Sequence, residues 1–198
     1  ESGSDGDQST PAGVSVGVDT LITAAPADAG LGTQFTIDGA YVVDRFDVLT
    51  EATRAFQTAR FDTTGGEIQL FAAFSHQLRS QVYEAAVKTV QYAMQFDTPR
   101  IVLAEESVTA PPLWGRRTND GLGAWLCSAL RCAVAETARD ADVPAMRVEP
   151  AGARRACHRC GRDGRGRIGT FVCDHDECPV SRIDHGQSVA VSLARRIR

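Results

Sequence analysis

Residues 157–178 read CHRCGRDGRGRIGTFVCDHDEC. Cys157 and Cys160 stand two residues apart, Cys173 and Cys178 four apart, and twelve residues separate the pairs. Two thiolate pairs joined by a short hairpin make a closed tetrahedral site for Zn²⁺. A closed set leaves no position for water, so this metal holds structure and does not react. The wider second spacing lets His158 or His175 replace one cysteine, while ligand softness favours the four thiolates. Arg159, Arg162, Arg165 and Arg167 lie between the pairs. They read equally as phosphate contacts or as a solvated loop face.

Hard oxygen ligands form a second set. Val14, Val16 and Val18 alternate with Ser15, Gly17 and Asp19, a strand ending at a carboxylate. "RIVLAEE" is a short buried strand whose last residues are Glu105 and Glu106, the latter pointing to the other face. One acid at a strand end is ordinarily an exposed charge. Asp19 and Glu105 at two strand ends are a stronger signal for Mg²⁺ or Mn²⁺.

These residues need a scaffold. Asp38-Gly39 in "QFTIDGAYVVDRF" predicts a hairpin between two β-rich runs. Residues 47–60 read as a helix, Thr63 to Gly66 as a break, and 67–96 as a second helix stopped by Pro99. "TAPPLWGRRTNDG" reads as a loop, residues 120–141 as an amphipathic helix, "AMRVE" as a strand, and Asp184 to Arg198 as a last helix. By analogy, three consecutive strands followed by alternating helices and strands is the order of an RNase H-like α/β layered fold.

The net charge of −4 hides an asymmetry. Residues 1–149 carry 11 Lys plus Arg against 20 Asp plus Glu, and residues 150–198 carry 10 Arg against 5 acids. A basic tail on an acidic body suggests a local anionic partner. Four zinc-bound thiolates would lower the tail's charge by about two units. A single Lys (Lys88) against 20 Arg, and 16 Asp against 9 Glu, fit a G+C-rich, salt-adapted source. The acidic start, ESGSDGDQSTP, reads as a linker, and without an initiating Met the chain reads as a fragment. No apolar run approaches a membrane span. Cys127 and Cys132 fall in a helical apolar pattern, so the six cysteines indicate a reducing, cytoplasmic setting.

"VGVD", "IVLAEE", "CHRCG", "FVCDHDEC" and "AVSLARR" together resemble the nuclease half of transposon-encoded TnpB proteins, relatives of the type V CRISPR effectors. The resemblance runs over residues 14–197. It implies a RuvC-type, RNase H-like α/β core split into three segments, with a four-cysteine zinc ribbon inserted before the third. The divisions would be a linker over 1–12, the core over 13–150, the ribbon over 151–180 and a completing helix over 181–198. It also implies an RNA-guided, Mg²⁺- or Mn²⁺-dependent DNA endonuclease of an insertion sequence, with guide RNA and target DNA as partners. Asp19, Glu105 and Asp184 would be its carboxylates.

The family's third segment reads Asp-x-Asn-Ala-Ala-x-Asn-Ile. Counted back from "ARR", Gly186 stands at the catalytic Asp, and Ser188 and Ser192 stand at the two Asn. Gly152-Ala153-Arg154 replaces the family's Tyr-Thr-Ser, and the usual Gly two residues after Asp19 is missing. On a helix Asp184 lies about 200° from position 186. Three readings follow: an endonuclease completed by Asp184, a nuclease-dead RNA-guided DNA binder or repressor, and a transposon remnant without function.

Overall fold

The computed structural model describes residues 10–58, 64–105, 119–150, 152–153, 155–167, 169–180 and 182–197. Most of the acidic linker, Glu106 and most of the loop expected over 109–121 lie outside them.

The elements are β1 (Thr10–Val16), β2 (Thr20–Pro26), β3 (Phe35–Asp38), α1 (Ala40–Thr58), α2 (Thr64–Ala93), β4 (Pro99–Ala104), α3 (Asn119–Asp140), β5 (Ala145–Val148), β6 (Gly164–Arg167), β7 (Thr170–Cys173), β8 (Ile183–Asp184) and α4 (His185–Ala194). A five-stranded sheet runs β3-β2-β1-β4-β5. β1, β2 and β3 pair antiparallel, and β1-β4 and β4-β5 are parallel. β6, β7 and β8 form a separate three-stranded sheet.

Alternation along the central strands sends two sets of side chains to two layers. Ala12, Val14, Ile22, Ala24, Ile101 and Leu103 share one core with α1, α2 and α3. Val102 packs with Val189 and Leu193 of α4, and Ala25 with Ala190 and Val191. Both faces are covered, which explains the continuous burial from Pro11 to Val14 and from Leu21 to Ala25.

Three sequence expectations shift. Asp38-Gly39 joins a strand to a helix and does not turn a hairpin. Asp38 Oδ1 accepts from the Ala40 N–H at 2.6 Å, the Gly39 N–H donates to the Asp19 carbonyl, and Val42, Phe46 and Leu49 are buried at helical spacing. A Cβ on Gly39 would come 1.7 Å from the Val18 carbonyl oxygen, so the backbone approach needs glycine. Three consecutive strands do begin the fold, but the second is Thr20–Pro26. Thr64, Gly65 and Gly66 open α2 and are not a break. β1 begins at Thr10, inside the expected linker, and ends three residues short of Asp19.

α4 lies close on the sheet because its facing residues are small. A Cβ on Gly13 of β1 would fall 1.8 Å from the Ala190 carbonyl oxygen and 2.8 Å from the Ala194 amide. Gly186, one turn before Ala190, lies against Thr23 of β2. The stripe 186, 190, 194 therefore faces the sheet.

Candidate functional site

The four ribbon cysteines come together. All four Sγ atoms lie within 4.8 Å of one another, with Cys157–Cys178 at 3.7 Å and Cys160–Cys173 at 3.6 Å. Zn–S bonds of about 2.3 Å in a tetrahedron require sulfur separations of about 3.8 Å. The donor set thus fits zinc, with one cysteine of each sequence pair in each close pair. It is the group of three or more His, Cys, Asp or Glu side chains that meets metal-binding spacing among the described residues. Cys127 and Cys132 stand apart from it on α3.

Local forces prepare the thiols. The Arg162 amide holds the metal-free Cys160 thiol down at about 7, while burial pushes Cys173 up to about 12. The hydrogen bond between the Cys160 and Cys173 thiols adds to both directions. Burial also raises Cys157. Phe171, fully buried, packs with Cys157, Cys173, Cys178, Val180 and Ile183 in the ribbon's own small core.

The ribbon is tied to α4. His158 Nδ1 lies 3.4 Å from Ser188 Oγ, and Arg195 donates to the carbonyls of His158 and Ala27. Burial, then the charges of Arg195 and Arg159, lowers the His158 pKa, which favours the neutral ring. Arg165 is bound to Asp174, at 2.7 Å, on the ribbon surface. β8 runs directly into α4, and Asp184 caps that helix by accepting from the Gln187 N–H at 2.9 Å.

Beside the ribbon, a cleft of about 330 Å³ opens at the carboxyl ends of β1 and β4. Ser15 and Ala104 line its floor, Cys127 and Arg131 of α3 one wall, and His185 and Val189 of α4 the other. The register pairs Val14 with Leu103 in parallel, so Ser15 and Ala104 are neighbours on the α4 side of the sheet. The β6 strand borders the cleft: a Cβ on Gly166 would come 3.5 Å from His185 Nε2.

The three candidate carboxylates stand around this cleft and are not among its lining residues. Asp19 is exposed in the β1–β2 turn. Glu105 follows Ala104, is exposed, and extends the ladder by donating its N–H to Val148. Asp184 is half-buried at the helix cap. The α4 residues lining the cleft are His185, Val189 and Leu193, while position 186 points at Thr23. Sequence reading passed over Ser15, Ala104 and His185 because it searched for acids. The alternation of Ser15 with Val14 and Val16 was the available signal that Ser15 faces the other layer.

No helix among the described residues is long and apolar enough to cross a membrane. No protein-family model and no curated protein matches the chain. Solved structures do. The chain is similar to Cas12f1 in a complex with sgRNA and target DNA, with a TM-score of 0.74 and 11% identity over 94% of this chain and 50% of that one. It is also similar to a CRISPR-Cas12f ternary complex, with a TM-score of 0.66 and 12% identity over 92% of this chain and 38% of that one. The chain thus spans half or less of the length of these neighbours and shares their fold over nearly all of its own.

Proposed function

We propose that this chain is the RuvC-type, RNase H-like core of an RNA-guided DNA-binding protein of the TnpB and Cas12f kind, with cleavage weakened or lost. Three antiparallel strands extended by two parallel ones, with a ribbon before the last helix, support the fold name. Guide RNA and target DNA are the partners, as the Cas12f neighbours and the basic tail suggest. Cytoplasmic residence and an insertion-sequence origin belong to the same reading. Four thiolates would hold a structural Zn²⁺ that fixes the passage from β7 through β8 into α4.

The observation that carries the loss of cleavage is the cleft itself. Two-metal phosphodiester hydrolysis needs carboxylates aimed at one point. The residues lining the strand ends and the first turn of α4 include Ser15, Val16, Val18, Ala104 and His185, and no carboxylate is among the described residues that line the cleft. Position 186, where the family places its third Asp, is filled from the other side by Thr23.

A second reading keeps the endonuclease. Glu105 and Asp184 adjoin two lining residues, Ala104 and His185, so with Asp19 they could converge on Mg²⁺ or Mn²⁺ at the cleft mouth. A cleavage assay decides between the two. The full-length gene product with its flanking RNA and Mg²⁺ or Mn²⁺ is offered matched double-stranded DNA, beside Asp19→Ala. Guide-dependent binding without cuts is the expected result. Cuts abolished in Asp19→Ala would establish the endonuclease.

A further inference from the structure

Two side chains of α4 hold the loop between β2 and β3, residues 27–34. Gln187 is buried in the first turn of the helix. Its amide nitrogen donates to the Gly30 carbonyl at 2.6 Å, and its amide oxygen accepts from the Gly32 N–H at 3.2 Å. Gly32 has φ +75°, so the loop backbone bends back onto this one amide in a conformation that favours glycine. At the other end of the helix Arg195 donates to the Ala27 carbonyl at 2.8 Å. Ala29 of the loop packs against Ala25, Ala190 and Val191.

The ribbon anchors the same two ends of the helix. At the start, β8 pairs with β7, the His185 N–H donates to the Gly169 carbonyl, and Asp184 accepts from the Gln187 N–H. At the end, Arg195 also donates to the His158 carbonyl. His158 lies inside the Cys157–Cys160 knuckle, where the Arg159 N–H points at Cys157 Sγ and the Gly161 N–H donates to the Cys157 carbonyl. The place of that carbonyl therefore depends on where the Cys157 sulfur is held. The ribbon's own core is made of Cys157, Phe171, Cys173, Cys178, Val180 and Ile183, half of them metal ligands, and so small a core needs its metal.

Resting on the structural Zn²⁺ proposed above, we propose that zinc in the ribbon fixes the position of the β2–β3 loop, with Gln187 and Arg195 as the positioning residues that couple them. With the metal bound, both ends of α4 are anchored and the loop is clamped. Without it, the first turn of α4 frays and the His158 carbonyl leaves Arg195, so Gln187 releases Gly30 and Gly32. The loop keeps its internal bonds, from the Ala29 N–H to Pro26 and from Thr33 to Gly30, but loses its place on α4. The exposed Leu31 is then held out at a fixed point only in the zinc-loaded form.

Amide hydrogen exchange, read by NMR on the zinc-loaded and the chelator-stripped chain, tests the coupling. The Gly32 amide should exchange about tenfold faster without zinc, the scale of one buried hydrogen bond. The Ile101 amide, bonded to the Pro144 carbonyl in the sheet, should keep its rate. Coupling is reciprocal, so the loop must also favour zinc. Gln187→Met keeps the length of the side chain and removes both loop bonds. It should weaken zinc binding by about the same factor against a chromophoric chelator, although the Gln187 amide bonds to the loop and not to the ribbon. Lys88→Gln, on the exposed face of α2, should leave zinc affinity unchanged.

Zinc bound with Gly32 exchange equal in both forms would overturn the inference and leave the structural zinc standing. A rise at Ile101 as large as that at Gly32 would also overturn it, because the whole chain would then depend on the metal. A chain that binds no zinc would overturn both. The exchange comparison needs no substitution, so it decides even where Gln187→Met does not fold.

Discussion

Gly186→Ala isolates the packing of α4 against β2 at position 186. In a helix, replacing glycine by alanine ordinarily stabilises by about 0.5–1 kcal/mol. Here the new Cβ would meet Thr23 Oγ1 at 2.4 Å, Thr23 Cβ at 3.0 Å and Asp184 Oδ1 at 3.1 Å. Thr23 is buried, with 2% of its surface exposed, and sits on a central strand, so it has little room to retreat. Overpacking of this kind costs about 1–3 kcal/mol. The overlap should outweigh the helical gain and leave a net loss of about 1–2 kcal/mol. For a chain of this size that lowers the melting temperature by roughly 3–6 °C. Thr23→Ala removes the closest atom, so in that background the Gly186→Ala cost should shrink by about 1 kcal/mol or more, a coupling expected only of touching residues. Thermal unfolding of the four zinc-loaded proteins measures the cycle. Gly186→Ala as stable as the unaltered chain, or equally costly in both backgrounds, would refute the reasoning. The same wall meets any larger side chain. Gly186→Asp alone is therefore expected to restore no cleavage, although the missing acid considered by itself would suggest that it should.

Other perturbations bear on the ribbon and its junction with the core. Stripping zinc should raise proteolysis of residues 157–197 before that of α2, because β8 and the start of α4 continue from the ribbon sheet; equal rates with and without metal would contradict this. In the metal-free protein, Cys160 should be the fastest ribbon thiol to alkylate, with its rate rising through about pH 7 and Cys173 lagging far above that, read by peptide mass spectrometry. The sign follows from the directions. The depressed Cys160 favours the folded metal-free ribbon once pH exceeds its unfolded value and loses that contribution as pH falls through about 7, while the raised Cys173 acts oppositely at alkaline pH. Gly13→Ala should displace α4, since its Cβ would lie 1.8 Å from the Ala190 carbonyl oxygen, and circular dichroism should show a large loss of stability.

The sequence by itself determined the ribbon and the order of the elements. Thiolate spacing is a local property, and Cys157, Cys160, Cys173 and Cys178 meet as their intervals require. Periodicity located α2, β4, α3, β5 and α4 within a few residues. It misread Asp38-Gly39, because the same dipeptide that turns a hairpin also caps a helix when apolar residues follow at 42, 46 and 49. Only the tertiary structure decided which side chains face the cleft. Strand register puts Ser15 beside Ala104, and the small stripe 186, 190, 194 rotates α4 so that His185 meets the cleft and Gly186 meets Thr23. Sequence names the acids near a strand end or a helix start, but a rotation of 100° per helical residue or 180° per strand residue, fixed by long-range packing, decides what they can touch.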